Sequence, residues 1–408
     1  MSSCENAIFW HVYPLGFTGA EIRPERPSGV VEHRLGRLTG WLDHAVGMGF
    51  TGLLLGPIFA STSHGYDTID HLRIDPRLGD DADFDILVRE AHARGLKVVL
   101  DGVFNHVGTQ HPAFQAALAG GPEGRLFRWT DGQLVTFEGH GGLATLNHDE
   151  PDVVAWVDHV MRYWLARGAD GWRLDASYAV APAFWRRVIP GVREEFPDAW
   201  FLGEVIHGDY AAFVAGSSVD TVTQYELWKA TWSALKDANF FELAWTLKRH
   251  QEFAQTFVPQ TFVGNHDVER IASQVGSGRA VLAAAVLFTV PGTPSVYAGD
   301  EYAFEAVKGE GWASDDPLRP AFPDTPAGLD GAGAWMAALY HELIELRRER
   351  PWLIRGRIEQ GELANERFTY EVVGDGGRLR VDLALAPVPS VVITENGRQL
   401  FQFAGGSA

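Results

Sequence analysis

Residues 81–103, DADFDILVREAHARGLKVVLDGV, join a helix to a buried strand. The first part opens on acids and ends on Arg94, which suits the helix dipole. The second part, LKVVLDGV (96–103), is a continuous apolar run, as in a parallel strand covered on both faces. The same alternation runs along the chain. Further apolar runs fall at AIFWHVYPL (7–15), TGLLLGPI (51–58), GWRLDA (171–176), WFLGEV (200–205), TVTQYE (221–226), QTFVGN (260–265) and LFTVPGTPSVYAG (287–299). Helical patterns lie between them, among them 151–168, which starts with Pro151 and stops at Gly168, and 332–350. Eight strand–helix units with right-handed crossovers predict an α/β protein, a closed (β/α)8 TIM barrel. The rival is an open doubly wound sheet. YPLGFTGAEIRP (13–24) lacks the Gly-rich turn that such a fold places after its first strand.

Two stretches leave the alternation. About seventy residues separate strands three and four, and residues 107–147 are rich in Gly, His and Thr, so a small inserted domain is expected there. After residue 353, RFTYEVV (367–373), RLRVDLAL (378–385) and SVVITENG (390–397) read as antiparallel strands between turn residues. The predicted division is a barrel over 1–106 and 148–352, an insertion over 107–147, and a small β domain over 353–408.

The 408 residues are 46% apolar and 21% charged, enough for a sizeable core. With 53 acids against 34 bases the net charge is −19, which opposes nucleic-acid phosphates and anionic membrane surfaces. Cys4 is the single cysteine, so no intrachain disulfide forms. No secretory leader or spanning apolar run is seen, and a cytoplasmic protein is expected.

Polar residues at strand ends carry the chemistry, because in such a barrel they converge on one face. Strand three ends in Asp101, Asn105 and His106, strand four in Arg173 and Asp175, strand five in Glu204, strand seven in His266 and Asp267. Gathering carboxylates is expensive unless each is paired or protonated. Glycosidic cleavage needs two of them with pKa values pushed apart, one to attack and one to give a proton. Arg173 lies two residues before Asp175 on the same side of the strand, so it is expected to hold Asp175 ionised, leaving Glu204 as the proton donor. Metal-binding barrel hydrolases gather several histidines, often as H-x-H. No H-x-H occurs here, and no catalytic metal is expected.

DGVFNH (101–106), GWRLDA (171–176), GEV (203–205) and FVGNHD (262–267) resemble, in order, the four signature segments of the α-amylase family of glycoside hydrolases. HGYDTIDHLRIDPRLGD (64–80) and VYAGDE (296–301) resemble two more. The resemblance implies Asp175 as nucleophile, Glu204 as acid/base and Asp267 as the third carboxylate. It implies sugar contacts for Tyr66, Asp67, Asp101, His106, Arg173, His266, Arg270 and Arg319. LATLN (143–147) is similar to the neopullulanase and cyclomaltodextrinase branch. That branch carries an extra β domain before the barrel, and with a first strand predicted near residue 7 that domain is expected to be absent. The family's calcium site uses an Asn and an Asp; Asn105 is present but Thr145 stands at the Asp position, so the resemblance implies weak or absent calcium and no other cofactor. The implied activity is retaining hydrolysis of α-glucosidic bonds, α-1,4 above all, in short malto-oligosaccharides. Transglycosylation or isomerisation through the same intermediate, and a non-catalytic sugar-binding barrel, are the alternatives.

Overall fold

A computed structural model of the chain describes residues 4–25, 29–329 and 331–405. The outermost residues of the first and last predicted divisions, 1–3 and 406–408, lie outside it. Eight parallel strands form the central sheet: β1 (Phe9–Val12), β2 (Gly52–Leu55), β3 (Lys97–Gly102), β4 (Gly171–Leu174), β5 (Trp200–Gly203), β6 (Thr221–Val222), β7 (Gln260–Phe262) and β8 (Thr293–Tyr297). Each pairs with its neighbour in chain order, β1 also pairs with β8, and a parallel bridge from Thr223 to Gln260 closes the barrel. The α/β barrel expected from the alternation is therefore the fold.

Helices cover the barrel. α1 (Asp81–Ala93) begins at a capping box in which Asp80 accepts from Ala82 N and Asp83 N. The others used below are α2 (Pro151–Ala166), α3 (Pro182–Glu195), α4 (Tyr225–Lys236), α5 (Phe241–Ala254), α6 (Ser277–Thr289) and α7 (Ala334–Arg348). Among the described residues no helix is long and apolar enough to cross a membrane.

Alternation along the strands separates two cores. Trp10, Leu53, Val98, Trp172 and Phe201 point outward into the large cluster shared with the helices. Phe9, Leu54, Val99, Trp200 and Leu202 point inward and, with Cys4 and Ala7, fill the N-terminal end of the barrel. Phe9 and Trp200 stack there with centroids 5.3 Å apart. Gly52 and Gly171 make room: a Cβ on Gly52 would stand 2.6 Å from the Phe9 ring, and one on Gly171 2.3 Å from the Trp200 carbonyl oxygen. His11, Asp101 and Arg173 lie two residues beyond inward-facing positions, so they too point into the barrel, nearer its open end.

Two expected strands are shorter than their apolar runs. In TVTQYE only Thr221–Val222 is strand, because the Gln224 side chain accepts from Leu227 N at 3.3 Å and starts α4. In LFTVPGTPSVYAG the first residues finish α6, and the strand begins at Thr293 after Gly292, whose φ is +129°.

The C-terminal sheet is a meander of five antiparallel strands, β9 (Arg357–Ala364), β10 (Arg367–Gly374), β11 (Gly377–Ala384), β12 (Ser390–Glu395) and β13 (Arg398–Ala404). Tyr370 and Thr289 share a hydrogen bond of 2.6 Å that ties it to α6. Beside it, buried Arg347 of α7 donates to the carbonyls of Phe288 (3.3 Å), Val290 (2.7 Å) and Gly292 (2.5 Å). Burial pulls its guanidinium down to about 9, so it stays charged at neutral pH. Arg347→Met should leave these carbonyls without donors and cost about 2–4 kcal/mol of stability. Urea unfolding checks this: the midpoint should fall with an unchanged slope.

Candidate active site

At the open end of the barrel one guanidinium organises the carboxylates. Arg173 Nη1 lies 2.8 and 2.6 Å from the two oxygens of Asp101 and 3.5 Å from Asp175 Oδ1, and Nη2 lies 2.6 Å from Glu204 Oε1. Neighbouring registers cause this: Asp101 is the partner of Arg173 across β3 and β4, and Leu202, two residues before Glu204, is its partner on β5. Ala176 then takes a left-handed conformation (φ +46°), a costly one for a residue with a Cβ. The turn aims its N–H at Glu204 Oε2, 2.9 Å away. Tyr225 Oη donates to Glu204 Oε1 at 3.2 Å and accepts from Asn265 Nδ2 at 2.9 Å.

A second group faces this one. Arg319 Nη2 donates to Asp267 Oδ1 at 2.8 Å, and His266 Nε2 lies 3.1 Å from Asp267 Oδ2. His266 Nε2 also meets Tyr66 Oη, which donates to Asp101 Oδ2 at 3.0 Å. The guanidinium of Arg319 lies 4.6 Å over the Tyr13 ring.

The cavity above measures about 380 Å³. Of the expected site residues, Tyr66, His106, Asp175, Glu204, Asp267 and Arg319 line it. Arg173, Asp101 and His266 are buried behind them. Two others, Asp67 and Arg270, lie outside this lining. Asp67 accepts from Ser63 N (3.0 Å) and Ser63 Oγ (2.6 Å) and pins its own loop. Arg270 is 1% exposed, pairs with Asp300 at 2.9 Å and lies 3.9 Å over the Tyr297 ring, so it braces the barrel wall. His106 contacts the Tyr66 carbonyl through Nε2 (3.0 Å) and Asn105 Nδ2 through Nδ1 (3.1 Å), with its ring stacked on Phe137. Tyr178 also lines the cavity, as do Phe137, Glu138, Tyr225, Trp312 and Arg23, which were not singled out from the sequence. Only Asn265, inside FVGNHD, carried a usable signal.

The electrostatics correct one expectation. Burial and the neighbouring Glu204 push the Asp175 carboxyl well above the carboxylate range, against the pull of Arg173. Arg173 is closer to Asp101 and Glu204 than to Asp175, which is why proximity in sequence misled. Burial also raises Asp101 to about 6. Asn105 turns its amide nitrogen to His106 and its main-chain carbonyl to Leu146 N, and Thr145 brings no charge.

A raised folded-state pKa means that the folded protein holds the Asp101 proton more tightly than the unfolded chain, where the value returns to 3.8. That contribution is complete below about 3.8 and is lost as pH rises through about 6. Thermal melts from acid to neutral pH should therefore show the stability of wild type relative to Asp101→Asn falling across this window.

Comparison with known proteins agrees with this geometry. Residues 29–140 and 124–325 match the alpha amylase catalytic domain. Neopullulanase 2 of Thermoactinomyces vulgaris is 33% identical over 347 residues, covering 80% of this chain and 57% of that protein. A cyclomaltodextrinase of Bacillus sp is 31% identical over 343 residues, covering 74% and 60%. The chain thus spans less than two thirds of either relative. The cyclic alpha-maltosyl-(1→6)-maltose hydrolase of Arthrobacter globiformis, solved with its cyclic saccharide, superposes with a TM-score of 0.81 at 26% identity, over 93% of this chain and 91% of that one. A barrel whose strand ends gather Asp175, Glu204 and Asp267, matched over most of its length by the family's catalytic domain, places this chain in the alpha-amylase family.

Proposed function

We propose that the protein is a retaining glycoside hydrolase that cleaves α-glucosidic bonds, chiefly α-1,4, in short linear or cyclic malto-oligosaccharides. The observation that carries this reading is the shared contact of Asp175 and Glu204 with the one guanidinium of Arg173. It favours the close spacing of about 5–5.5 Å used for a covalent intermediate over the wider gap that admits a water.

Asp175 attacks the anomeric carbon, and Glu204 gives its proton to the leaving oxygen. With the site empty, burial favours a proton on Asp175. Positive charge developing on the sugar ring favours the ionised form instead, which suits Asp175 to attack while Glu204 serves as the acid. Water, activated by Glu204 in its second role, releases the sugar with its configuration retained. Asp267, held by Arg319, accepts hydrogen bonds from hydroxyls of the same sugar. The general acid marks the leaving side, so Tyr178 and Ile206 face the acceptor. Asp267, Arg319 and Trp312 face the sugar that is transferred. A neutral substrate needs no charge complement, and the stacking faces suit sugar rings.

A product time course by NMR on maltotriose and a cyclodextrin tests the reaction. The α anomer should appear first, Glu204→Gln should lower kcat by about 10²–10⁴-fold, and Asp175→Asn should abolish turnover. First appearance of the β anomer would overturn the mechanism, and products longer than the substrate would assign transglycosylation. Trp312 is 75% exposed at the cavity mouth with Arg23 4.2 Å from its ring. Trp312→Ala should raise KM roughly 3–10-fold for maltotriose in initial-rate measurements.

A further inference from the structure

Behind the cavity the hydrogen bonds run in one direction, and they start at a residue outside every motif. Tyr66 Oη has one proton and two neighbours, Asp101 Oδ2 and His266 Nε2. Asp101 sits on Arg173, and with its carboxyl at about 6 it is ionised at neutral pH and can only accept. The phenol proton therefore goes to Asp101, and the phenol oxygen accepts from His266 Nε2–H. Burial and the charges of Arg319 and Arg173 hold His266 well below its ordinary pKa, so its ring is neutral. With the proton on Nε2, its Nδ1 is a bare acceptor. That nitrogen lies 3.2 Å from Nε2 of His11, which is buried on β1 and meets the His266 ring edge-on at 5.1 Å.

We propose that His11 is a positioning residue: its Nε2–H donates to His266 Nδ1 and fixes His266 as the Nε2–H tautomer. The direction matters because Nε2 of His266 also faces Asp267 Oδ2 at 3.1 Å. In the other tautomer a bare nitrogen would confront the Tyr66 oxygen and the Asp267 carboxylate, three acceptors together, and Asp267 would lose its hold beside the transferred sugar. His11 reaches the substrate only through this chain, His11 to His266 to Asp267.

The kinetic part of the test rests on the glycosidase reading above; the spectroscopic part does not. Long-range ¹H–¹⁵N correlation of the unliganded protein, labelled at histidine and assigned with His266→Asn, should give His266 a protonated Nε2 and a bare Nδ1. A protonated Nδ1 would overturn the proposal. His11→Gln keeps an N–H donor, whereas His11→Leu keeps the bulk without one. The Leu variant should lose roughly 10–100-fold in kcat, with KM little changed, and the Gln variant should recover most of that loss. Equal activity of the two variants would overturn the proposal. If wild type turns over no α-glucan, the proposed function falls and the wild-type tautomer decides this inference alone, as it also does if His11→Leu fails to fold.

Discussion

Arg173 is the cation on which the site depends. Four acidic side chains from four strand ends, Asp101, Asp175, Glu204 and Asp267, share the open end of a barrel, and Arg173 is in ion-pair contact with three of them. A buried charge without a partner costs several kcal/mol, and the cost multiplies when like charges gather. The guanidinium suits the task because its planar fork serves several oxygens at once and stays charged. Its closest contacts go to Asp101 and Glu204, so Asp175 is left under-compensated. The arrangement leaves a reactive carboxylate in reserve.

Much of this was legible in the sequence, for a physical reason. Continuous apolar runs occur where strands are covered on both faces, and a carboxylate at the end of such a run has few structural uses. The barrel, and the convergence of Asp101, Asp175, Glu204 and Asp267, could therefore be read directly. The six matched segments added the family. What could not be read depended on loops and on distance. Asp67 stands in a family segment and Arg270 just beyond one, yet each spends its hydrogen bonds on its own surroundings. Tyr225 reaches Glu204 because β6 is only two residues long and α4 starts at once, a boundary hidden by the apolar pattern. Arg173 is close to Asp175 in sequence, but a period-two argument gives the face a side chain takes and not which oxygen it meets.

The segment 107–147 shows how a loop completes a site that a barrel only begins. Its ends pair as a short antiparallel ladder, His106–Gly108 with Leu143–Thr145. Between them the chain carries Phe137 onto the His106 ring and Glu138 to the Tyr178 hydroxyl, 2.7 Å away. One wall of the cavity is thus held by contacts between segment 107–147 and the turn after Asp175. In the proposed reaction, substitutions there act on the partner that receives the sugar and leave the floor of the site unchanged.

The packed N-terminal end of the barrel has a consequence for traffic. Phe9, Trp200, Cys4 and Ala7 stopper the cylinder, so the cavity at the other end is a cul-de-sac. Whatever leaves must pass whatever arrives. A departing molecule blocks the doorway that the next one needs, so the order of exit and entry becomes a property of the mouth. Under the proposed reaction, the competition between water and a second sugar for a bound glycosyl group would be settled at the door, by which of them slips in first as the other leaves.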